Sequence, residues 1–423
     1  MKVDIKTQNR LKTARIKMSK TRPSHKANKL WPMVRIGDVC EDKIQRIKSI
    51  SESRIAYIDI ASIDNVQKRV VGVKEYDVDD APGRAQQVVI PGDVLVSNVR
   101  PNLNAVAIVD VVSAIPLIAS TGFCVLRVQD MVLPEYVYYY AQTSYFIDPL
   151  VAVSEKASYP SVTDTIVKDS LMPLPSLSEQ KEIVARLERE LAAVEKMKKG
   201  FEALAETAKA EFKAELKEVF EGLKRDGAGM RKIGDVCTEI STGPFGSSLH
   251  KNDYIVGGTP IINPMHIVGQ RLIPTDNMAV DEKTIARLSA YCLRENDVII
   301  GRRGEMGRAA LVTSREKGWL CGTGCFFLRL RANVSPRYFV ELLCSDYCKS
   351  QMEHQAIGTT IPNLNHTILR EIEMPMPELA EQEWVVGSVT ALRAKMEKLE
   401  AKAQEGVAVC ETMRKAILKE AFE

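Results

Sequence analysis

Residues 172–180 read MPLPSLSEQ, and residues 374–382 read MPMPELAEQ. The two stretches lie 202 residues apart, and the same offset relates Tyr136 to Tyr338 within matching Pro-x-Tyr sequences. It also relates residues 216–220 (LKEVF) to residues 418–422 (LKEAF). One offset that holds over about a hundred residues indicates an internal duplication, in which each copy is a structural unit.

Each copy combines a globular part with a long helix. Short β-rich runs such as residues 93–97 and 325–330 are separated by Pro and Gly, which predicts strands in an α+β domain. A proline pair precedes each long Pro-free segment, and Ser178 or Glu179 is the candidate cap of the first helix. The predicted order is a basic tail at 1–30, a domain at 31–177, a helix at 178–220, a linker at 221–229, a domain at 230–379 and a helix at 380–423.

Both predicted helices carry an apolar stripe with steps of three and four residues. The stripe includes Ile183, Leu187, Leu191, Val194 and Leu204 in the first helix and Val389, Leu392, Met396, Leu399 and Ile417 in the second. A helix of this length is roughly 64 Å long, which exceeds the width of a small domain. We therefore expect the helices to pair with each other, antiparallel because a domain separates them in sequence. The alternative is that each helix folds back onto its own domain.

Charge is unevenly distributed along the chain. The formal net charge is +3, but residues 1–30 hold ten Lys or Arg and one Asp, which leaves −6 for residues 31–423. A basic arm of this kind attracts phosphate non-specifically, or it is a solvated tail. Since the remainder is not basic, nucleic-acid binding by the domains would require local patches.

The composition excludes several classes of protein. With 45% hydrophobic and 27% charged residues, the chain is typical of globular proteins. Its most apolar stretch, residues 105–119, contains Asp110 and Pro116 and is shorter than the roughly 18–20 residues that span a membrane. Nine cysteines at irregular spacings do not suggest a disulfide framework. We therefore expect a cytoplasmic protein without a membrane partner.

The order of these segments resembles the DNA specificity subunit of type I restriction–modification systems. The resemblance rests on the alternation of domains and helices and on the Pro-x-Pro-x-Leu-x-Glu-Gln entry to each helix. It also rests on residues 243–249 (GPFGSSL), followed by Asp253-Tyr254, and on residues 358–364 (GTTIPNL). It covers residues 31–423, although no GPFGS sequence follows Gly37-Asp38 in the first domain.

This resemblance implies two target recognition domains joined by two long helices in an antiparallel coiled coil, with an internal pseudo-twofold repeat. Each domain would read one half of a bipartite double-stranded DNA site, and the helices would set the spacing and provide the subunit contacts. The implied partners are two adenine methyltransferase subunits and two restriction–translocase subunits. S-adenosylmethionine, ATP and Mg are expected on those partners, so this chain is expected to hold no cofactor and to be non-catalytic.

Direct readout of bases requires loop side chains with paired hydrogen-bond donors and acceptors. Candidates lie where predicted strands end and within the resemblance motifs. In the first domain they are Ser97, Asn98, Arg100, Asn102, Asn104, Lys156, Ser158 and Tyr159. In the second domain they are Ser247, Ser248, Lys251, Arg302, Arg303, Arg308, Thr359, Thr360 and Asn363. For any one of them, a solvated loop residue or a turn former is the alternative.

Motifs for catalysis and metal binding are weak or missing in the sequence. It contains no Gly-x-x-x-x-Gly-Lys-Ser/Thr phosphate loop, and residues 263–265 (NPM) lack the rest of an amino-methyltransferase signature and are interpreted as a turn. Cys321, Cys325, Cys344 and Cys348 suggest a zinc site, but the first copy has no cysteine at the equivalent positions. Buried thiols are therefore favoured there, and core packing is favoured for the tyrosines of residues 136–140.

A rival interpretation is a coiled-coil scaffold whose domains bind proteins without DNA specificity. The near-neutral charge of residues 31–423 keeps this interpretation open. The two interpretations differ in the salt dependence and the sequence preference of DNA binding.

Overall fold

The computed structural model describes residues 31–155, 160–225, 227–245, 248–355 and 363–423. These residues divide into two compact units. The first unit consists of two segments, the described residues up to Met197 and the C-terminal segment Val409–Glu423. The second unit is the segment between them, Lys198–Ala408. Each unit therefore combines one α+β domain with segments of both long helices.

The first unit contains two sheets and a group of short helices. Its strands are β1 (Met33–Arg35), β2 (Arg54–Ile58), β3 (Ile63–Asp64), β4 (Arg69–Val70), β5 (Lys74–Asp77), β6 (Ala85–Val89), β7 (Val94–Ser97), β8 (Val106–Ile108), β9 (Leu117–Ser120), β10 (Phe123–Leu126) and β11 (Leu171–Pro173). A five-stranded sheet has the order β10-β7-β8-β4-β3, a four-stranded sheet has the order β5-β2-β9-β6, and β1 pairs with β11. The short α-helices are α1 (Pro134–Tyr140), α2 (Ser144–Ser154) and α3 (Asp164–Lys168).

The second unit follows the same plan with different edge strands. Its strands are β12 (Met230–Lys232), β13 (Cys237–Thr242), β14 (Thr259–Ile262), β15 (Ile267–Val268), β16 (Arg271–Leu272), β17 (Ala279–Val280), β18 (Val298–Gly301), β19 (Ala309–Leu311), β20 (Leu320–Cys321), β21 (Cys325–Leu330) and β22 (Glu373–Pro375). The sheet orders are β13-β21-β18-β19, β17-β14-β20, β12-β22 and β15-β16.

Two long α-helices follow the domains. They are α4 (Leu177–Arg225) and α10 (Leu379–Ala421). The short helices of the second unit lie between them in the chain and are α5 (Ile233–Val236), α6 (Glu282–Arg287), α7 (Pro336–Cys344), α8 (Asp346–Gln355) and α9 (His366–Glu371). Helix α4 continues five residues past its predicted end because Leu223 is buried in the core of the second unit. The cap is Ser176, and not Ser178 or Glu179. The Ser176 hydroxyl accepts from the Glu179 amide at 3.4 Å, and the Glu179 carboxylate accepts from the Ser176 amide at 3.0 Å.

The duplication predicted from the sequence is confirmed in the strand registers and in a repeated hydrogen bond. Phe123 lies opposite Ser97 in the first unit, and Cys325 lies opposite Gly301 in the second. The Tyr136 hydroxyl donates to the Pro173 carbonyl at 2.9 Å, and the equivalent bond from Tyr338 to Pro375 measures 2.8 Å. Tyr136 and Tyr338 are both fully buried, as expected for core packing.

The long helices run antiparallel. In the first unit, Leu187 near the start of α4 shares a core with Phe422, which follows the end of α10. In the second unit, Phe220 near the end of α4 shares a core with Val389 near the start of α10. The Lys209 ammonium also lies 3.6 Å from the Glu400 carboxylate between the two helices. Each helix thus begins on its own domain and ends on the other repeat's domain. The structure therefore combines the two alternatives predicted from the sequence, pairing between the helices and packing of each helix on its own domain.

Most of the apolar stripe packs inside the chain. Ile183, Leu187, Leu191, Val194 and Val389 are buried in their units, as expected for stripes that pack within the chain, and their assignment to the subunit-contact helices stays a prediction. Leu392, Met396, Leu399 and Ile417 are half-buried, and Leu204 is 40% exposed. The exposed apolar side chains of the helices are instead Met197, Leu204, Trp384 and Val409, together with Leu177 and Leu379 at the helix starts.

The sequence that opens each long helix fixes the helix to its domain through a buried glutamine. In the first unit, the Gln180 side chain accepts from the Leu133 amide at 2.9 Å and donates to the Pro175 carbonyl at 2.9 Å. In the second unit, Gln382 accepts from the Ser335 amide at 2.8 Å and donates to the Pro377 carbonyl at 2.8 Å. Both glutamine side chains are buried, so these bonds supply partners for polar atoms that the protein shields from water.

Candidate nucleic-acid interface

Both domains repeat one backbone arrangement where a central strand ends, which we name the strand-end junction. In the first domain, the Asn98 amide donates to the Gly122 carbonyl at 2.8 Å, and the Asn98 carbonyl accepts from Val162 at 2.9 Å. In the second, the Arg302 amide donates to Gly324 at 2.8 Å, and the Arg302 carbonyl accepts from Leu364 at 2.8 Å. The junction therefore joins the loop after β7 or β18 to the segment before α3 or α9.

The first strand-end junction buries some predicted contacts and exposes others. Ser97 and Asn98 are 3% and 7% exposed. The Ser97 hydroxyl donates to the Val99 carbonyl at 3.0 Å, and the Asn98 side-chain amide donates to Asp164 at 2.6 Å. These two residues shape the loop, whereas Arg100 and Asn102 are exposed and free to meet a ligand.

Arg100 is presented by a strained backbone. Its φ angle is +50°, in the left-handed region that residues other than Gly, Asn and Asp seldom adopt. The Arg100 amide donates to the Pro160 carbonyl at 2.8 Å, and Arg100 precedes the 3₁₀ turn Pro101–Leu103. Asn104, at φ +46°, ends this turn and donates from its side chain to the Gln142 carbonyl at 3.3 Å. The loop thus directs Arg100 outward while its two ends are fixed.

In the second junction, Arg302 is held against the protein. Its guanidinium lies 5.1 Å from the centroid of the Phe326 ring and 5.9 Å from that of Phe245. The Arg302 Nε also donates to the Leu364 carbonyl at 3.3 Å. Burial, followed by the charge of Arg303, lowers the pKa of Arg302 from its usual value. Arg302 therefore organises the junction.

Arg303 has the opposite environment. Its backbone forms a bridge with Asn363, and its side chain is exposed, with no ion pair or hydrogen bond to the described residues. Arg308 is half-buried, where it donates to the Pro264 carbonyl at 3.1 Å and lies 3.5 Å from Glu305. Of the three predicted arginines, Arg303 is the one positioned to meet an anion.

The glycine-rich segment of the second domain lies against this junction. The Thr323 hydroxyl donates to the Pro244 carbonyl at 2.5 Å, and the Ser248 amide donates to the Phe245 carbonyl at 2.7 Å. Ser248 is half-buried, and its carbonyl accepts from Arg287, whereas Lys251 is exposed. The sequence motifs around Phe245, Arg302 and Asn363 therefore converge, as expected for one surface.

Several predicted residues lie outside the described part of the chain. They are Lys156, Ser158, Tyr159, Ser247, Thr359, Thr360 and the basic tail at 1–30. Two residues that sequence reasoning missed belong to the described surface. Phe245 is 57% exposed within the glycine-rich motif, and Lys68, at φ +56°, donates to the Asn104 carbonyl. Phe245 lies in the sequence GPFGSSL at residues 243–249, which carries part of the family resemblance, whereas Lys68 is far from the junction in sequence.

The cysteines act as apolar side chains. Cys321, Cys325 and Cys348 are buried and Cys344 is half-buried, all as free thiols, and burial raises the pKa of each. Within the described ranges, no group of three or more His, Cys, Asp or Glu side chains could hold a metal ion. The Asn263-Pro264 sequence forms a 3₁₀ turn, as predicted. Among the described helices, none is long and apolar enough to cross a membrane.

The duplicated sequence matches a known family. A family model described as the type I restriction modification DNA specificity domain matches residues 28–201 and again residues 226–405. The chain therefore belongs to this family and contains its domain twice. The two matched regions correspond to the two copies recognised from the internal offset.

Individual relatives share about a quarter of their aligned residues with this chain. The StySPI specificity subunit of a type I restriction enzyme from Salmonella potsdam is 24% identical over 170 residues, which cover 40% of this chain and 36% of that relative. The match thus spans about a third of the curated relative. The HsdS subunit of Thermoanaerobacter tengcongensis is 25% identical, with a TM-score of 0.56 over 95% of this chain and 99% of that one.

A further solved chain, from work on complex assembly and conformational transition of the type I restriction–modification system, is 26% identical to this one. Its TM-score is 0.75, and the alignment covers 94% of this chain and 99% of that chain. The similarity therefore extends over both domains and both long helices.

Proposed function

We propose that this chain is the sequence-specific DNA-binding subunit of a type I restriction–modification complex, in which each domain reads one half of a bipartite site. The observation that carries the proposal is the strand-end junction, which occurs once in each domain. Each copy presents an exposed arginine, Arg100 in the first domain and Arg303 in the second. Two diverged copies of one surface suit two half-sites of different sequence.

The chemistry of the exposed groups supports contact with duplex DNA. An arginine recognises guanine through two parallel hydrogen bonds in the major groove, or it contacts phosphate as a cation. Asn102 adds an exposed amide beside Arg100, and Lys251 adds an exposed cation to the second domain. Because the domains are not basic as a whole, DNA binding requires local cationic patches, and these exposed side chains provide them.

Partner subunits would supply the chemistry that the sequence of this chain lacks. The proposal includes two adenine methyltransferase subunits that dock on the long helices and two restriction–translocase subunits in the larger assembly. S-adenosylmethionine, ATP and Mg would bind to those subunits, this chain would be non-catalytic, and the complex would act on DNA in the cytoplasm. Docking on the helices would cover the exposed side chains of Trp384, at 65%, and Val409, at 51%.

The direct test is selection of bound sequences from a pool of random duplexes, using the full chain with its methyltransferase partner. The expected result is a motif of two specified blocks separated by a gap of fixed length. Binding to that motif should exceed binding to unrelated duplexes at all salt concentrations, while both weaken as salt rises. A pool with no enriched motif would favour the scaffold interpretation and contradict the proposal.

A further inference from the structure

Phe245 is an exposed aromatic side chain whose ring is held by a contact with Arg302. Its ring is 57% exposed, and the Arg302 guanidinium lies 5.9 Å from the ring centroid. The same guanidinium lies 5.1 Å from the centroid of Phe326, which is fully buried. Arg302 thus connects a ring in the core to a ring at the surface.

The backbone on both sides of Phe245 is also held. The Gly243 amide donates to the Cys325 carbonyl at 3.3 Å, and the Phe245 carbonyl accepts from Ser248 at 2.7 Å. A Cβ atom at Gly243 would lie 2.3 Å from the backbone of Gly322, so only glycine permits this close approach. The loop therefore holds the Phe245 ring in solvent, although burial of such a ring is worth roughly 2–3 kcal/mol.

The surroundings of the ring specify the chemistry of its partner. Arg303 is exposed beside Arg302, and Lys251 is exposed in the same glycine-rich segment. A partner that fits must bring an apolar group to the Phe245 ring and negative charge to the exposed cations of the same domain. Duplex DNA has this combination, because thymine methyl groups are exposed in its major groove and its backbone carries phosphates.

We propose that Phe245 contacts the apolar surface of a base in the half-site read by the second domain, and that Arg302 is a positioning residue that holds the ring for this contact. This inference rests on the proposed function and assigns a specificity-determining residue within it. The first domain has no GPFGS sequence. The contact should therefore affect only one of the two half-sites.

The primary experiment compares variants of the full chain on duplexes that carry the selected bipartite site. Phe245→Ala should weaken specific binding on the order of tenfold, the loss expected when one apolar contact in a buried interface is removed. Phe245→Tyr should restore binding to within about twofold, because it keeps the ring. Val256→Ala is the matched control, since Val256 is 77% exposed in the same domain, and its binding should be unchanged.

A second readout identifies the base and separates contact from folding. In one arm, each thymine is replaced by deoxyuridine, which removes the methyl group; in the other, adenines are replaced by the fluorescent base 2-aminopurine. Wild type should respond to a replacement at one position of the second half-site, and Phe245→Ala should lose that response. Arg302→Lys should reduce the same response, since a lysine keeps the charge but loses the planar contact with both rings.

Three outcomes would overturn the inference while leaving the proposed function intact. They are unchanged binding by Phe245→Ala, an equal loss on specific and random duplexes, and loss of the methyltransferase subunit from purified Phe245→Ala complex. The last would assign the ring to a protein interface. Failure of the proposed function itself is distinguishable, because wild type would then show no preferred site at all.

Discussion

Arg302 and Arg303 are neighbours in the sequence with different roles in the structure. The Arg302 guanidinium is held between two phenylalanine rings and bonded to the Leu364 carbonyl, whereas the Arg303 side chain is exposed. Because both residues are arginines that follow the same strand, the sequence predicts that both contact DNA. The packing of Phe326 beneath Arg302 and the bond to Leu364 distinguish this held side chain from the exposed side chain of Arg303.

This difference predicts opposite effects of two alanine substitutions. Arg303→Ala should leave the free energy of unfolding within about 0.5 kcal/mol of wild type. It should weaken DNA binding by about 1–3 kcal/mol, at one base position if the residue reads guanine. Arg302→Ala should lower the free energy of unfolding by about 1–3 kcal/mol, because it removes ring contacts and a hydrogen bond.

Urea unfolding and binding titrations would measure the two effects, with Arg231→Ala as the control because Arg231 is an exposed arginine of the same domain. Reversed effects of the two substitutions would contradict the assignment. A loss of binding by Arg303→Ala that is equal on all sequences would identify a phosphate contact instead.

Lys68 makes the stability of the first unit depend on pH. Burial, followed by the charge of Arg414, lowers the pKa of Lys68 from 10.5 to about 8. The folded state therefore favours the neutral amine, so folding releases a proton between about pH 8 and pH 10.5. This contribution to stability is fully present above pH 10.5 and is lost as the pH falls through about 8.

Lys68→Met should consequently be more stable relative to wild type at pH 7 than at pH 10. The measurement is the melting temperature of both proteins at the two values, and Lys74→Met is the control because Lys74 is exposed. The comparison between variant and wild type cancels the titration of other groups. A difference that does not change between pH 7 and pH 10 would contradict the role of Lys68.

Several residues of the candidate surface could be predicted from the sequence, and others could not. Arg100, Asn102 and Arg303 follow strands and are exposed, as their positions indicate. Ser97 and Asn98 follow the same strand but are buried, because Asp164 and the Val99 carbonyl supply partners that are not evident from sequence position. Whether any of these residues touches DNA stays a prediction.

At the scale of elements, each long helix is fixed to a domain by a buried glutamine. Gln180 and Gln382 each bridge three backbone groups of the sequence before the helix and of the loop before α1 or α7. Their equivalence across the repeat explains why Glu-Gln closes both copies of the opening sequence. The bonds orient each helix relative to the domain that precedes it.

Removal of either glutamine side chain should destabilise the corresponding unit. Gln180→Ala or Gln382→Ala leaves buried amide and carbonyl groups without partners, which costs about 1–3 kcal/mol per group. The measurement is thermal unfolding, with Glu182→Ala and Glu383→Ala as controls, because these neighbours are exposed. Equal stability of the glutamine variants and their controls would contradict this function of the helix-opening sequence.

Elements with strong local signals could be predicted, and those set by tertiary contacts could not. The apolar periodicity predicted both long helices, but the extension of α4 to Arg225 depends on Leu223 reaching a core that belongs to the second domain. The residues between Pro336 and Gln355 form two helices, α7 and α8, with Ser345 between them, and this break has no strong local signal. Sheet order has no local signal, because it depends on pairings between distant strands.

At the scale of the whole molecule, the proposed function assigns sequence readout to the domains and the spacing of the half-sites to the long helices. The helices α4 and α10 approach closely at Phe201 and Gly406, where a Cβ atom on Gly406 would lie 2.5 Å from the Phe201 ring. Insertions placed at this approach would lengthen both helices in register. An insertion in one helix alone would instead shift its packing against the other.

Four residues inserted after Gly200 and four inserted after Gly406 should therefore lengthen the gap between half-sites. Each insertion adds about 6 Å of rise and roughly 40° beyond one helical turn. At about 3.4 Å per base pair, the preferred gap should increase by one or two base pairs, with unchanged half-site sequences. Binding to duplexes that differ only in gap length measures this preference, and an unchanged optimum would show that the helices do not set the spacing.

The most direct test of the central claim, that each domain reads its own half-site, is an exchange of the first domain. Replacing residues 31–175 by the equivalent domain of another family member keeps the Ser176 cap and all of α4. Sequence selection from random duplexes by the exchanged chain should show a new first block, with the second block and the gap length unchanged. A change in both blocks, or in neither, would contradict the claim.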